Sequence, residues 1–138
     1  MVKLRLKRKG RKAYAVYDII AIDSRARRDG AFLERLGWYD PNQTPNAIEI
    51  ADDRALYWLG VGAQPTDTVR LLMSYKGIML KRHLILKGKT EEEIAQAMET
   101  HKTVAAARYT RRKELRAKRI EAKKKAEKAA KAEEEANK

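Results

Sequence analysis

Val2-Lys3-Leu4-Arg5-Leu6-Lys7-Arg8-Lys9-Gly10-Arg11-Lys12 stands at the head of the chain. Val2, Leu4 and Leu6 alternate with Lys3, Arg5 and Lys7, the period of two that gives a strand one apolar and one solvated face. The solvated face is wholly cationic. Gly10 suits a tight turn, and a second run rich in β-formers follows from Tyr14 to Ile22, so the pair predicts an antiparallel hairpin. Seven cations and no acid occupy its first twelve positions.

The hairpin's second run ends at Asp23, and Ser24-Arg25-Ala26-Arg27-Arg28-Asp29-Gly30 follows. Asp and Ser favour turns through side-chain bonds to the backbone, and Asp29-Gly30 is a pair that readily supplies positive φ. Three guanidinium forks in one loop suit a partner with many phosphates. Beyond the loop, Ala31 to Tyr39 reads as a third strand with Phe32, Leu36 and Trp38 on one face. Asp40-Pro41-Asn42-Gln43-Thr44-Pro45-Asn46 is a loop by its prolines and turn formers. Ile48 and Ile50 predict a short strand after it.

Two short helices are expected next. Asp52 caps the first, from Asp53 to about Leu59, where Ala55, Leu56 and Leu59 share a face and Gly60 and Gly62 end it. Thr66 caps the second, in which Val69, Leu72 and Met73 form the apolar stripe and Gly77 is the stop. Ile78 to Leu80 is read as a return to the sheet, and Lys81 to Lys89 as a connector. Thr90-Glu91-Glu92-Glu93 is a capping box heading a long run of helix formers whose weak apolar stripe fades beyond Tyr109.

Composition divides the chain near Lys89. The 49 residues after it contain no Gly, no Pro and one aromatic, Tyr109. The expected fold is therefore α+β: a domain at 1–89 with a small, mostly antiparallel sheet and two short helices, and a charged Ala/Lys/Glu-rich helical or partly disordered extension at 90–138. Net charge is +13, with eighteen Lys and Arg against nine Asp and Glu in 1–89 and fourteen against ten in 90–138. Such a surplus draws a protein to polyanions with salt-sensitive affinity. The chain has no cysteine, which removes disulfides, thiolate nucleophiles and Cys-bearing zinc sites. The N-terminus lacks a signal-peptide pattern and no window is apolar enough for a membrane span.

Nothing in the sequence assembles a catalytic site, and no cofactor is expected. Gly60-Val61-Gly62 lacks the third glycine and the strand context of a dinucleotide loop. His83 and His101 have no Asp or Cys constellation near them in sequence. A metal-dependent nuclease using Asp52, Asp53 or Asp29 is the competing enzyme reading, but cap, dipole and turn roles already account for those acids. A coiled-coil module built on the extension lacks an a/d seam after Tyr109.

Binding uses far more of the residues. Lys3, Arg5, Lys7, Arg8, Lys9, Arg11 and Lys12 line the hairpin, Ser24, Arg25, Arg27 and Arg28 sit in the next turn, and Arg70 adds a cation on the second short helix. A merely soluble surface mixes signs, and these clusters do not. Tyr14, Tyr17, Trp38 and Tyr39 are aromatics for base stacking or for the core, with Tyr14 and Tyr39, beside turns, the stronger stacking candidates. Recognition by shape and backbone is expected in the absence of an RNP-type aromatic motif, a GXXG clamp or a helix-turn-helix.

Four stretches carry a family resemblance. Val2 to Gly10, Asp23-Ser24-Arg25 with Arg28-Asp29-Gly30, Gly37-Trp38-Tyr39-Asp40-Pro41, and Arg54 to Leu59 through Gly62-Ala63-Gln64-Pro65-Thr66-Asp67-Thr68-Val69 resemble, in the same order, the bacterial small-subunit ribosomal protein S-sixteen family. The resemblance implies a structural, non-catalytic protein bound to 16S rRNA in the 5′ domain of the subunit body, with a role in assembly. It implies neighbouring small-subunit proteins as further partners, a cytoplasmic place on the ribosome, no small-molecule substrate and no obligate homo-oligomer.

Overall fold

The computed structural model describes residues 1–27 and 29–136, the side chains as far as Ala126. In order, the elements are β1 (Val2–Arg11), β2 (Tyr14–Asp23), β3 (Glu34–Asp40), β4 (Ala47–Ile50), α1 (Asp52–Gly60), β5 (Gln64–Pro65), α2 (Asp67–Lys76), α3 (Ile78–Leu86) and α4 (Glu91–Ala136). The chain forms two compact units, Met1–Met98 and Glu99–Lys138. In the first unit the strands make one sheet in the order β4-β3-β2-β1-β5, antiparallel except for β5, which runs parallel to β1. Within the second unit α4 runs as far as Ala136.

The sheet is built on the hairpin, whose ladder runs unbroken from Val2↔Asp23 to Arg11↔Tyr14. Gly10 is not the turn. It lies within β1 at φ 92, and the reversal falls on Lys12 and Ala13, the latter at φ 68. A Cβ at Gly10 would press on the carbonyl of Tyr14, so the glycine allows the strand to bend toward its partner and continue to Arg11.

Alternation then sorts the side chains. Leu4, Ile19, Ala21, Leu36 and Ile50 turn to one face and meet Ala55, Leu59, Val69, Leu72, Met73 and Ile78 from the helices, forming the core. Burying each of these larger aliphatic side chains contributes about 1.5–3 kcal/mol before entropy is counted. Lys3, Arg5, Lys7 and Lys9 turn to the opposite face with Ile20 and Ile22 of β2.

The third strand begins at Glu34, later than the apolar pattern suggests, so Phe32 is not in the sheet. The register against β2 shifts at Ile19/Ile20, which leaves Leu36 as the extra residue of a bulge. Beside it Gly37 pairs with Ile50, and a Cβ there would overlap the carbonyl of Glu49.

Three short helices are present where two were expected. Ile78–Leu86 is helical and neither returns to the sheet nor acts as a connector. Gly77, at φ 86, ends α2 in the left-handed region, and its carbonyl accepts from Lys81 N at 2.9 Å to start α3. A short apolar run cannot by itself distinguish strand from buried helix, and here Ile78 is drawn into the core. Ala51 rather than Asp52 is the N-cap of α1, so Asp52 and Asp53 both lie in its first turn. Thr66 is the N-cap of α2 without a side-chain capping bond; its N–H donates to Leu4 O at 2.9 Å and holds β5 to the edge.

The capping box forms: Glu93 N donates to Thr90 Oγ1, and Thr90 N to Glu93 Oε2, each at 3.4 Å. Ile94 and Met98 remain half-buried and line a groove with Ile85. The first unit accordingly continues past the compositional break at Lys89. No helix is long and apolar enough to cross a membrane among the described residues.

Candidate nucleic-acid interface

The arginine loop is shaped by its own backbone. Arg25 N donates to Asp23 Oδ1 at 2.8 Å, Ala26 N to Asp23 O at 3.1 Å, and Gly30 N to Arg27 O at 3.1 Å. The first of these bonds holds the Asp23 carboxyl below its ordinary range. Gly30 is absent from the positive-φ residues, contrary to expectation, and serves instead as the donor that closes the turn. Ser24 N donates to Met1 O at 2.9 Å, and Leu33 N to Ala21 O at 2.9 Å, so both ends of the loop are tied to the sheet.

Between those ties the loop lies over the cationic face. Arg5 Nη2 donates to Ala26 O at 3.0 Å and to Arg27 O at 2.6 Å, and Lys7 Nζ donates to Gly30 O at 3.4 Å. Lys7 also stands 4.9 Å from the ring centre of Phe32, a cation–π distance. Ile20 and Ile22, both 0% exposed yet outside the main core, are shielded on this face. The alternating cations of β1 thus divide: Arg5 and Lys7 fasten the loop, while Lys9 and Arg11 run outward, exposed, to the hairpin's end.

The other sequence-predicted residues fall in three places. Arg25 and Arg27 are exposed in the loop, and half-buried Lys3 lies beside its base; Arg28 lies outside the described residues. Arg8, Lys12 and Tyr14 gather at the exposed tip of the hairpin, where Arg8 Nη2 donates to Arg11 O at 3.3 Å. Arg70 is exposed on α2, in the helical layer that packs on the sheet's other face, and is not brought to the loop. Tyr39 is half-buried against the core, its ring stacked on Tyr17 at 6.3 Å and its hydroxyl accepting from Asn46 Nδ2 at 3.1 Å.

Asp40 organises the tip, a role the sequence did not assign it. It is 4% exposed and accepts from Asn42 N and Asn42 Nδ2 at 2.9 Å each, and from Tyr14 Oη and Gln43 Nε2 at 3.2 Å each. The Asn42 N–H, with these other donors, holds the carboxyl below its ordinary range, and the bond that the Tyr14 hydroxyl donates to Asp40 raises the Tyr14 phenol. Asn42 Nδ2 also donates to Ala15 O at 2.9 Å. The 40–46 loop thus braces the start of β2 and fixes the direction of the cationic tip. Asp-Pro-Asn was visible as a turn, but its reach back to Tyr14 and Ala15 depends on strand order.

A second brace joins sheet to helix. Arg54 donates from Nε to Glu34 Oε1 at 2.7 Å and from Nη2 to Oε2 at 2.6 Å, and Trp58 Nε1 donates to Oε2 at 2.7 Å. These bonds, those from Arg54 foremost, lower the Glu34 carboxyl to about 2. Neutralised by Arg54, Glu34 takes little away from the positive field of the neighbouring loop.

Among the described residues no group of three His, Cys, Asp or Glu is placed to hold a metal ion. The acids of the nuclease reading do not converge: Asp52 and Asp53 occupy the first turn of α1, with Asp53 3.8 Å from Lys81 Nζ, while Asp29 is in the arginine loop. The arrangement suits phosphate binding by exposed cations on a braced scaffold.

Residues 8–66 match the family described as Ribosomal protein S16. The small ribosomal subunit protein bS16 of Chloroherpeton thalassium is 46% identical over 127 residues, 92% of this chain and 94% of the relative. The protein of the same name in Chlorobaculum tepidum is 47% identical over 133 residues, 96% of this chain and 99% of the relative. Alignments of that length necessarily extend into α4. That of Porphyromonas gingivalis is 50% identical over 98 residues, covering 69% of this chain and 51% of the longer relative.

Proposed function

The chain belongs to the ribosomal protein S16 family, and from that premise we propose that its arginine loop and hairpin bind the 5′ domain of 16S rRNA and help that domain assemble. Family membership makes it a structural constituent of the small subunit, not an enzyme, with the ribosome as its place of work. The observation that carries the finer reading is the division among the cations. Arg5 and Lys7 bond the loop's carbonyls, and Arg25 and Arg27 extend from it unburied.

Prepaid loop ordering matters for binding. A loop already fixed by the sheet loses little further entropy when its guanidinium groups meet phosphates, so more of the charge-assisted bonding appears as affinity. Lys9, Arg11 and Lys12, carried by a braced hairpin, reach a second stretch of backbone. Two separated cationic patches on one rigid body screen two RNA segments at once, which is how such a protein favours the packing of helices that otherwise repel. Neighbouring small-subunit proteins are secondary partners in this reading.

The test has two parts. In a cell lysate fractionated at near-physiological salt, the protein should sediment with small subunits, and recovery as free protein would end the proposal. In filter binding, a 5′-domain transcript should be retained at lower protein concentration than a 3′-domain transcript of similar length. Equal retention would leave a ribosomal protein without the 5′-domain assignment.

A further inference from the structure

The second unit carries charge in an arrangement that its own stability does not require. Between Glu99 and Ala126 there are eleven Lys and Arg and three Glu. At 3.6 residues per turn, Arg108, Arg112, Arg116 and Arg119 fall within about 80° of arc on α4. Glu99, Glu114 and Glu121 fall together on nearly the opposite side. All four arginines are exposed, and none forms an ion pair within 4.0 Å among the described residues.

Like charges at i and i+4 weaken an isolated helix by about 0.2–0.5 kcal/mol each. A helix selected only for solubility would interleave acids with these four cations too; here the three acids lie among lysines on the far side and none falls within the arginine arc. The stripe from 108 to 119 is all arginine and Lys123 falls on the same arc, while Lys113, Lys118, Lys124 and Lys125 stand off it with Arg111. Arginine offers a planar fork that matches phosphate oxygens in pairs, whereas lysine offers a point charge.

We infer that the Arg108–Arg112–Arg116–Arg119 face of α4 is a second nucleic-acid contact, which lies along the phosphate backbone of ribosomal RNA independently of the loop and hairpin. It rests on the function proposed above in taking ribosomal RNA as the partner. The stripe spans about 16 Å at 1.5 Å per residue, and its members are one turn apart. It reads no bases and contributes affinity and salt dependence.

The test compares two full-length variants that lose the same charge. One carries Arg108→Gln, Arg112→Gln, Arg116→Gln and Arg119→Gln, and the other Arg111→Gln, Lys113→Gln, Lys118→Gln and Lys125→Gln. Glutamine matches both residues closely in helix propensity, and circular dichroism checks that the helix is kept. Binding to a small-subunit rRNA transcript is measured across a salt series. The stripe variant should lower the slope of log K against log salt by about 3 to 4, and the off-stripe variant by less than about 1.

Equal losses in the two variants would show a response to net charge alone and overturn the inference. A stripe variant that keeps its slope would overturn it too, and loss of a small-subunit protein from assembled subunits in that case would assign the face to a protein partner. Failure of the unaltered chain to bind the transcript would instead bring down the proposed function, and this inference with it.

Discussion

Arg5 Nη2 donates to the backbone carbonyl of Arg27 at 2.6 Å, so one arginine of the cationic surface holds another in place. With the 3.0 Å bond to Ala26 O, this fastens the middle of the loop to the centre of β1. Substituting Arg5→Met keeps most of the apolar stem and removes both charge-assisted bonds. Loss of about 1–3 kcal/mol is expected in chemical denaturation, with faster amide exchange at Ala26 and Gly30. Arg5→Lys should rescue little of this, because one ammonium does not reproduce the fork. Unchanged exchange at both amides would show that the loop is held by something else.

Glu34 confers an acid sensitivity of known sign. Its carboxyl is lowered from 4.5 to about 2 in the folded chain, chiefly by the two bonds from Arg54 and then by Trp58. Between those values the unfolded chain binds more protons than the folded one, so the stabilisation is complete above about 4.5 and is lost as pH falls toward 2. Glu34→Gln should therefore destabilise the protein at neutral pH and flatten its thermal stability through the acid window. Some slope should remain, since Asp40 and Asp23 are lowered as well, by the Asn42 and Arg25 backbone N–H groups respectively. An acid profile identical to that of the unaltered chain would remove Glu34 from this role.

Local patterns made the four longer strands legible. Alternation at Val2 to Lys7 identifies β1 and its core face, and the capping box at Thr90 marks the start of α4, because both signals lie within a few residues. Ile78 to Leu80 offers no such signal: a three-residue apolar run has no period, and Gly77 both ends α2 and admits α3, so a helix stands where a strand was expected. Residue chemistry placed Arg5, Lys7, Arg25 and Arg27 in one charged set. It could not divide them into fasteners and exposed cations, since that division depends on the loop folding back across β1. The role of Asp40 was hidden for the same reason, its partner Tyr14 being distant in sequence and adjacent only in the sheet.

Gly37 is a steric requirement. Its place opposite Ile50, next to the Leu36 bulge, leaves no room for a methyl group before the carbonyl of Glu49. Gly37→Ala should force β4 away from β3 and cost about 3 kcal/mol or more, seen as a lower denaturation midpoint. Gly60→Ala is the control, because nothing lies within 4 Å of a Cβ there and the residue closes a helix. Its midpoint should be unchanged or slightly raised. Similar midpoints for the two variants would mean that β4 yields without loss.

The guanidinium groups of the arginine loop should contribute charge to RNA binding without contributing to the fold. Arg25 and Arg27 are exposed, and the bonds that shape the loop use their backbone atoms rather than their guanidinium groups. Replacing Arg25, Arg27 and Arg28 together by Gln should leave the denaturation midpoint within about 0.5 kcal/mol of the unaltered protein. Each phosphate that is no longer neutralised lowers the slope of log K against log salt by about 0.7 to 0.9, so the triple variant should bring it down by roughly 2 to 3 on a small-subunit rRNA transcript. Weaker binding with an unchanged slope would point to altered shape rather than missing charge. No change in either quantity would move the RNA-binding face away from this loop, to the hairpin tip where Lys9, Arg11 and Lys12 stand.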